Sequence, residues 1–253
     1  MRFVPYRTLR ANRVAQQYRS PCLTGIAEHL EQLLSQAEAQ ECSYLNFAQA
    51  LVEHEQQQRN GKRIAQNKRR AEFPVHKSLD EFDWRFQTTI SKHEINSLLD
   101  FCFIDNRDNV VFIGPPGVGK THLAIGLGLK AIDAGYKVSF NTALGLMETL
   151  ELAEIKGELK KKINQLAKFD VLIIDELGYL PMNKQGMHNL FLLINALYEY
   201  RTIILTTNKE FTNWGEFFAD GNVAVPIVGK IIHHSQIYLM GGESYRLKTQ
   251  LNH

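Results

Sequence analysis

The chain has 253 residues, 44% hydrophobic and 22% charged, so it can bury a sizeable core, and wholesale disorder is excluded. Lys and Arg number 29 against 27 Asp and Glu, and a net charge of +2 names no partner by itself. No apolar run approaches the roughly 18 residues of a membrane span. The basic start MRFVPYRTLRANR has no apolar stretch behind it and does not read as a secretory leader. Cys22, Cys42 and Cys102 are odd in number and widely spaced, which gives no disulfide framework and no zinc pattern. They read as buried structural thiols in a reducing cytoplasm.

Residues 26–58 carry helical spacing. Ile26, Leu30, Leu33, Leu34 and Ala37 form one apolar stripe, and Leu45, Ala48, Leu51 and Val52 a second. The second helix runs on into RNGKRIAQNKRR, residues 59–70, with six basic side chains and no acid. Pro74 and Val75 to Ser78 read as a break, and Ser78 with Glu81 fits a capping box. From about residue 109 short apolar runs alternate with helical patterns. Val110 to Ile113, Lys137 to Asn141, Val171 to Ile174 and Thr202 to Thr206 read as strands. Helical patterns follow the first glycine loop and cover 143–167 and 185–200. Strands apolar on both faces and separated by helices predict an α/β fold with a parallel sheet flanked by helices. The tail, 223–248, reads as a short helix containing His233 and His234, then a strand pair around Gly241 and Gly242.

The strongest chemical signal is GPPGVGKT: Gly114, Pro115, Pro116, Gly117, Val118, Gly119, Lys120 and Thr121. It matches G-x-x-x-x-G-K-[ST] between a buried strand and a helix. Glycines let successive N–H groups converge on phosphate oxygens, and the helix start adds its unpaired N–H groups and positive dipole end. Lys120 is expected on the β- and γ-phosphates of ATP and Thr121 on Mg2+. His122, just inside the helix, is expected to touch nucleotide or a neighbouring residue. In VLIIDE, Val171 to Glu176, a buried strand ends in two carboxylates, at the edge where open α/β sheets bind ligands. Asp175 is expected to hold Mg2+, directly or through water, and Glu176 to polarise the attacking water. Asn208, ending IILTTN, can donate to that water or to a γ-phosphate oxygen. The basic run has two readings. One is a solvated face. The other is a mostly non-specific phosphate-binding surface for duplex DNA made by Arg59, Lys62, Arg63, Lys68, Arg69 and Arg70, with no acid among them to compensate the charge.

With these motifs in place the sequence resembles the IstB-like ATP-binding proteins, AAA+ helpers of insertion-sequence transposition. The resemblance runs from about Leu23 onward. It rests on FPVHKSLDEFDWRFQ (73–87), GPPGVGKTHLAIGLG (114–128), DVLIIDELGYLP (170–181), TTNKEFTNWGEFFAD (206–220), the paired histidines at 233–234 and GESYRLK (242–248). It implies an unmatched extension over 1–22, a helical DNA-binding domain over 23–77 and an AAA+ ATPase domain over 78–253. It further implies a ring or spiral homo-oligomer on duplex DNA and a partner transposase, with no membrane association. Arg246 falls where a nucleotide-sensing arginine is expected. The family's Asp-Arg pair before the paired histidines is here Gly229-Lys230, so Lys230 stands where an arginine finger for the neighbouring subunit's nucleotide is expected, and hydrolysis should be slow. Competing readings are a helicase loader of the DnaC type, a nucleotide-gated DNA-binding scaffold with little turnover, and a small-molecule P-loop kinase. The adjacent Asp175-Glu176 and the lack of a recognisable lid speak against the last.

Overall fold

The computed structural model describes residues 14–19, 22–179, 183–214 and 221–245, and the chain divides into two compact units, residues 1–66 and 67–253. In the first unit, helix α1 (Thr24–Ala39) is followed by helix α2 (Tyr44–Ala71), whose last residues belong to the second unit. Ile26, Ala27 and Leu30 are buried, and so is the Glu55 carboxylate, 5% exposed. Burial alone would raise the pKa of Glu55. Its hydrogen bonds from Arg59 Nε (2.7 Å) and the Ile26 N–H (2.9 Å) outweigh that and hold it below the ordinary value. Gly25 admits this approach, because a Cβ there would lie 2.9 Å from Gln58 and Glu55. The second predicted stripe is not a core. Leu45 is 77% and Val52 54% exposed, and the start of α1 instead meets α2 further along, at Glu55 and Gln58.

The second unit is built on a five-stranded, wholly parallel sheet. Short helices α3 (Lys92–Ser97) and α4 (Cys102–Asp105) lead into β1 (Asn109–Ile113), which is buried at every position. There follow α5 (Lys120–Asp133), β2 (Val138–Thr142), α6 (Ala143–Ile155), α7 (Leu159–Leu166), β3 (Val171–Leu177), α8 (Lys184–Leu197), β4 (Thr202–Thr207), α9 (Gly221–Ile232) and β5 (Ser235–Leu239). The strand order is β2-β3-β4-β1-β5. Alternation along the strands sorts the core. Val111, Ile113, Leu172, Ile174, Ile203 and Leu205 pack with α6, α8 and α9 on one face. On the other face α5 lies so close that a Cβ at Gly128 would stand 2.8 Å from Ile173.

Several expectations need correction. The tail forms no strand pair among the described residues. Ser235–Leu239 instead extends the parallel sheet beside β1, and Gly241 turns back to accept from Gln87 and donate to Thr89. His233 and His234 lie in the turn after α9, not inside it. Cys22 and Cys102 are exposed and Cys42 is half-buried, because all three sit at helix ends or turns rather than on packed faces. The division between the compact units falls at Gln66/Asn67. Ala71 is fully buried, and Phe73 lies against Phe140, both in the second unit.

Asn109 joins three elements at the start of β1. Its Nδ2 donates to the Ile231 carbonyl and its Oδ1 accepts from the Ile203 N–H, each at 2.9 Å. Asn109→Ala leaves the Ile203 N–H buried without an acceptor and should cost about 1–3 kcal/mol. A urea-denaturation midpoint equal to that of the unmodified chain would contradict this.

Candidate nucleotide-binding site

The glycine loop spans the gap between the end of β1 and the start of α5. Gly119, with φ +101°, is the residue before the helix, and Gly117 has φ +85°. Both sit where an L side chain is strained and where there is no room. A Cβ on Gly119 would meet the Phe82 ring at 2.6 Å, and one on Gly117 would meet the Ser244 side chain. The loop is anchored on both sides. The Gly114 N–H donates to Thr207 O (3.1 Å), Gln87 donates to Val118 O (3.1 Å), and the Tyr245 N–H donates to Gly117 O (3.0 Å). Lys120 reaches back across the loop, its Nζ donating to the carbonyls of Gly114 and Pro115 at 2.7 Å each. Pro115 and Pro116 are exposed and Val118 is buried.

The loop and β3 meet through side chains. Thr121 Oγ1 donates to the Asp175 carboxylate, 2.9 and 3.1 Å from its two oxygens, and Thr206 Oγ1 donates to Asp175 Oδ1 at 2.6 Å. Thr206 Oγ1 also accepts from the Glu176 N–H at 2.9 Å. The β3–β4 register shifts between Ile174 and Leu177, and Glu176 takes φ +62°. This bulge separates two adjacent carboxylates. Asp175 stays 4% exposed, while Glu176 projects as an exposed side chain at the sheet edge. Thr121 and Asp175 present the hard oxygen donors, a hydroxyl and a carboxylate, that suit Mg2+ with further waters. Asn208 leaves the sheet directly after Thr207, which pairs with Ile113 beside the loop. Its turn is held by Thr207 Oγ1, which donates to Leu177 O, and by the buried Trp214, whose indole donates to Lys209 O at 3.2 Å.

Opposite the loop, the segment 77–87 and Tyr245 close a pocket that includes Lys120, Thr121, His122 and Glu176. His122 Nε2 lies 2.7 Å from the Ser78 carbonyl, and its ring stands edge-on to Phe82 at 5.2 Å. Phe86 and Tyr245 meet edge to face at 5.2 Å. Sequence reasoning missed the lining residues Lys77, Phe82, Asp83, Phe86, Gln87 and Tyr245, and it missed Thr206. The aromatic density of FDWRF, residues 82–86, was a usable signal. Thr206 carried none, because a threonine in a β-branched strand needs no further explanation.

The remaining candidates lie elsewhere. Lys230 Nζ sits 4.2 Å over the Tyr198 ring and lines a small cleft with Arg107 and Arg201, at the end of the sheet where β1 and β4 begin. Arg246 lies outside the described residues. Within the basic run, the expected lack of compensation does not hold. Arg59 pairs with Glu55 and donates to Cys22 O, Lys62 lies 3.7 Å from Glu28, and Lys68 lies 2.8 Å from Asp133. The acids come from before the run and from other helices. Arg63 donates to Asn60, while Arg69 and Arg70 are exposed and make no ion pair among the described residues.

Comparison with known proteins agrees with this geometry. The family model described as IstB-like ATP binding protein matches residues 17–253. An ATP-binding protein of insertion sequence IS21 from Pseudomonas aeruginosa is 41% identical over 225 residues, 89% of this chain and 85% of the relative. Among solved structures, the DnaC helicase loader aligns with TM-score 0.50 at 21% identity, over 58% of this chain and 86% of that one. AMPPCP-bound DnaA from Aquifex aeolicus aligns with TM-score 0.52 at 20% identity, over 69% and 54%. At such identities the likeness is one of fold, the AAA+ P-loop architecture. The chain belongs to the family of IstB-like ATP-binding proteins of insertion sequences.

Proposed function

We propose that the chain is a Mg2+-dependent ATPase that assembles on duplex DNA as a homo-oligomer and recruits or stimulates a partner transposase. The observation that carries the nucleotide half is the hydrogen-bonded set Thr121–Asp175–Thr206 next to Lys120, with Glu176 exposed beside it. In this reading Lys120 binds the β- and γ-phosphates and Thr121 with Asp175 holds Mg2+. Glu176 orients and deprotonates water, and Asn208 donates to that water or to a phosphate oxygen. The AMPPCP bound to the DnaA neighbour supports an adenine nucleotide as ligand. Phe82, Phe86 and Tyr245 supply apolar surface suited to a base. The insertion-sequence relative supports a transposase as partner. The DnaC likeness keeps the loader reading as the alternative within the same fold, and the protein that co-purifies with the assembled oligomer separates the two. Arg63, Arg69 and Arg70 are the run's side chains without an ion pair among the described residues, and they are the ones proposed to face DNA phosphates. Glu176→Gln should bind ATP as the unmodified chain does and lose about 10²-fold or more in turnover, since the amide cannot act as base. An unchanged hydrolysis rate would remove Glu176 from that role.

A reading with little turnover is favoured by one placement. Lys230 lines the cleft where β1 begins, and the five residues of β1 at about 3.3 Å each put roughly 16 Å between that edge and the loop. Lys230 is therefore a candidate for a neighbour's nucleotide and not for its own. A lysine is a point charge there, without the planar fork by which a guanidinium contacts two phosphate oxygens. Lys230→Arg should raise DNA-stimulated turnover at least about 10-fold, given the magnitudes typical of arginine fingers. ATP affinity of the isolated subunit should not change. Arg201 is the rival, although its guanidinium already donates to Ala167 O and Tyr200 O. Turnover unchanged in Lys230→Arg and abolished in Arg201→Ala would assign the finger to Arg201.

A further inference from the structure

At the edge of the sheet opposite the glycine loop, a cleft opens beside the starts of β2 and β3. Three cations line it from three places in the sequence: Arg70 at the end of α2, Lys137 just before β2, and Lys168 just before β3. All three are exposed, and none makes an ion pair among the described residues. No acid lines the cleft. The nearby carboxylates are engaged, Asp170 accepting from the Lys137 backbone N–H and Asp133 pairing with Lys68. Asn67, one turn before Arg70 on the same helix, also lines the cleft. It is 5% exposed, and its Nδ2 has no hydrogen-bond partner. Buried donors without acceptors are rare in folded chains, and an oxygen acceptor entering this cleft would complete the Asn67 amide. All of these residues belong to the second unit.

We infer that this cleft is a phosphate-binding site that takes a phosphodiester of duplex DNA, with Asn67 Nδ2 as a fixed donor and Arg70, Lys137 and Lys168 as the charges around it. The inference rests on the proposed DNA-binding function and gives it a location in the second unit. Phosphodiester is favoured over free nucleotide because the glycine loop already offers a separate site at the other sheet edge. In addition, Arg70 ends α2 in a last turn that also carries Lys68 and Arg69, so positive charge is concentrated beside the cleft. The half-buried Phe169 ring supplies an apolar wall that suits a deoxyribose. No group here reads a base edge, so binding should be indifferent to sequence.

The test is the salt dependence of binding to a short fluorescent duplex, followed by anisotropy on the full chain. Lys137→Gln/Lys168→Gln removes two exposed, unpaired charges and should fold normally. It should weaken binding to every sequence alike and flatten the log–log salt slope by about 1 to 2. Asn67→Asp should weaken binding in the same way by placing a carboxylate among the three cations. An unmodified chain that binds the duplex with a steep slope shared by both variants overturns the cleft and leaves the DNA-binding reading standing. An unmodified chain that binds no duplex at any salt overturns both. Inorganic phosphate substituted for chloride at constant ionic strength should compete with the duplex on the unmodified chain. Phosphate-dependent thermal stabilisation that is lost in the double variant, with its duplex slope unaltered, would assign the cleft to free phosphate and overturn the phosphodiester.

Discussion

A carboxylate at the buried end of an apolar strand is costly unless donors surround it, and the C-terminal edge of this sheet is organised around that requirement at Asp175. Only 4% exposed, Asp175 accepts from Thr121 on the first turn of α5 and from Thr206 on β4. These two bonds tie three consecutive parts of the site together: the glycine loop with its helix, the strand bearing the acids, and the strand leading to Asn208. The Thr206 hydroxyl acts twice, donating to Asp175 and accepting from the Glu176 N–H. The second bond serves a residue that the bulge has removed from its regular ladder position. One hydroxyl thereby compensates both the buried charge and the left-handed backbone that exposes Glu176.

Two adjacent acids on a regular strand would alternate between its faces. The register shift between Ile174 and Leu177 keeps Asp175 within reach of Thr121 and turns Glu176 outward, where it lines the same pocket as Lys120. In the proposed function, the division of labour between a carboxylate that holds Mg2+ and one that activates water would follow from the backbone at one position.

Much of this was legible in the sequence because it is local. GPPGVGKT and VLIIDE are contiguous, their spacing relative to strands follows from hydrophobic runs alone, and four of the five strands fall within a residue or a few of their expected bounds. What was not legible depends on partners distant in sequence. Phe82, Phe86 and Gln87 become pocket residues because distant parts of the chain return to meet them: Gly119 and His122 at Phe82, Val118 and Gly241 at Gln87, and Tyr245 at Phe86. The basic run reads as uncompensated because Glu28 and Asp133, which pair with Lys62 and Lys68, lie on other helices. The same distance hides the opposite effect, since the β2–β3 pairing sets Lys137 beside Lys168 and the end of α2 adds Arg70 to the same cleft. The final strand was misread because Gly241-Gly242 suggests a hairpin, whereas β5 adds to the sheet as another parallel strand.

In the proposed function the pocket between the glycine loop and segment 77–87 binds the phosphates of ATP through Lys120. Calorimetric titration of Mg2+-ATP into the unmodified chain and into Lys120→Ala tests it directly. Lys120 is only partly buried, at the start of α5, so the substitution should leave the thermal unfolding transition in place. Saturable binding to the unmodified chain and none to a folded Lys120→Ala are expected. Equal affinity in the two would contradict it.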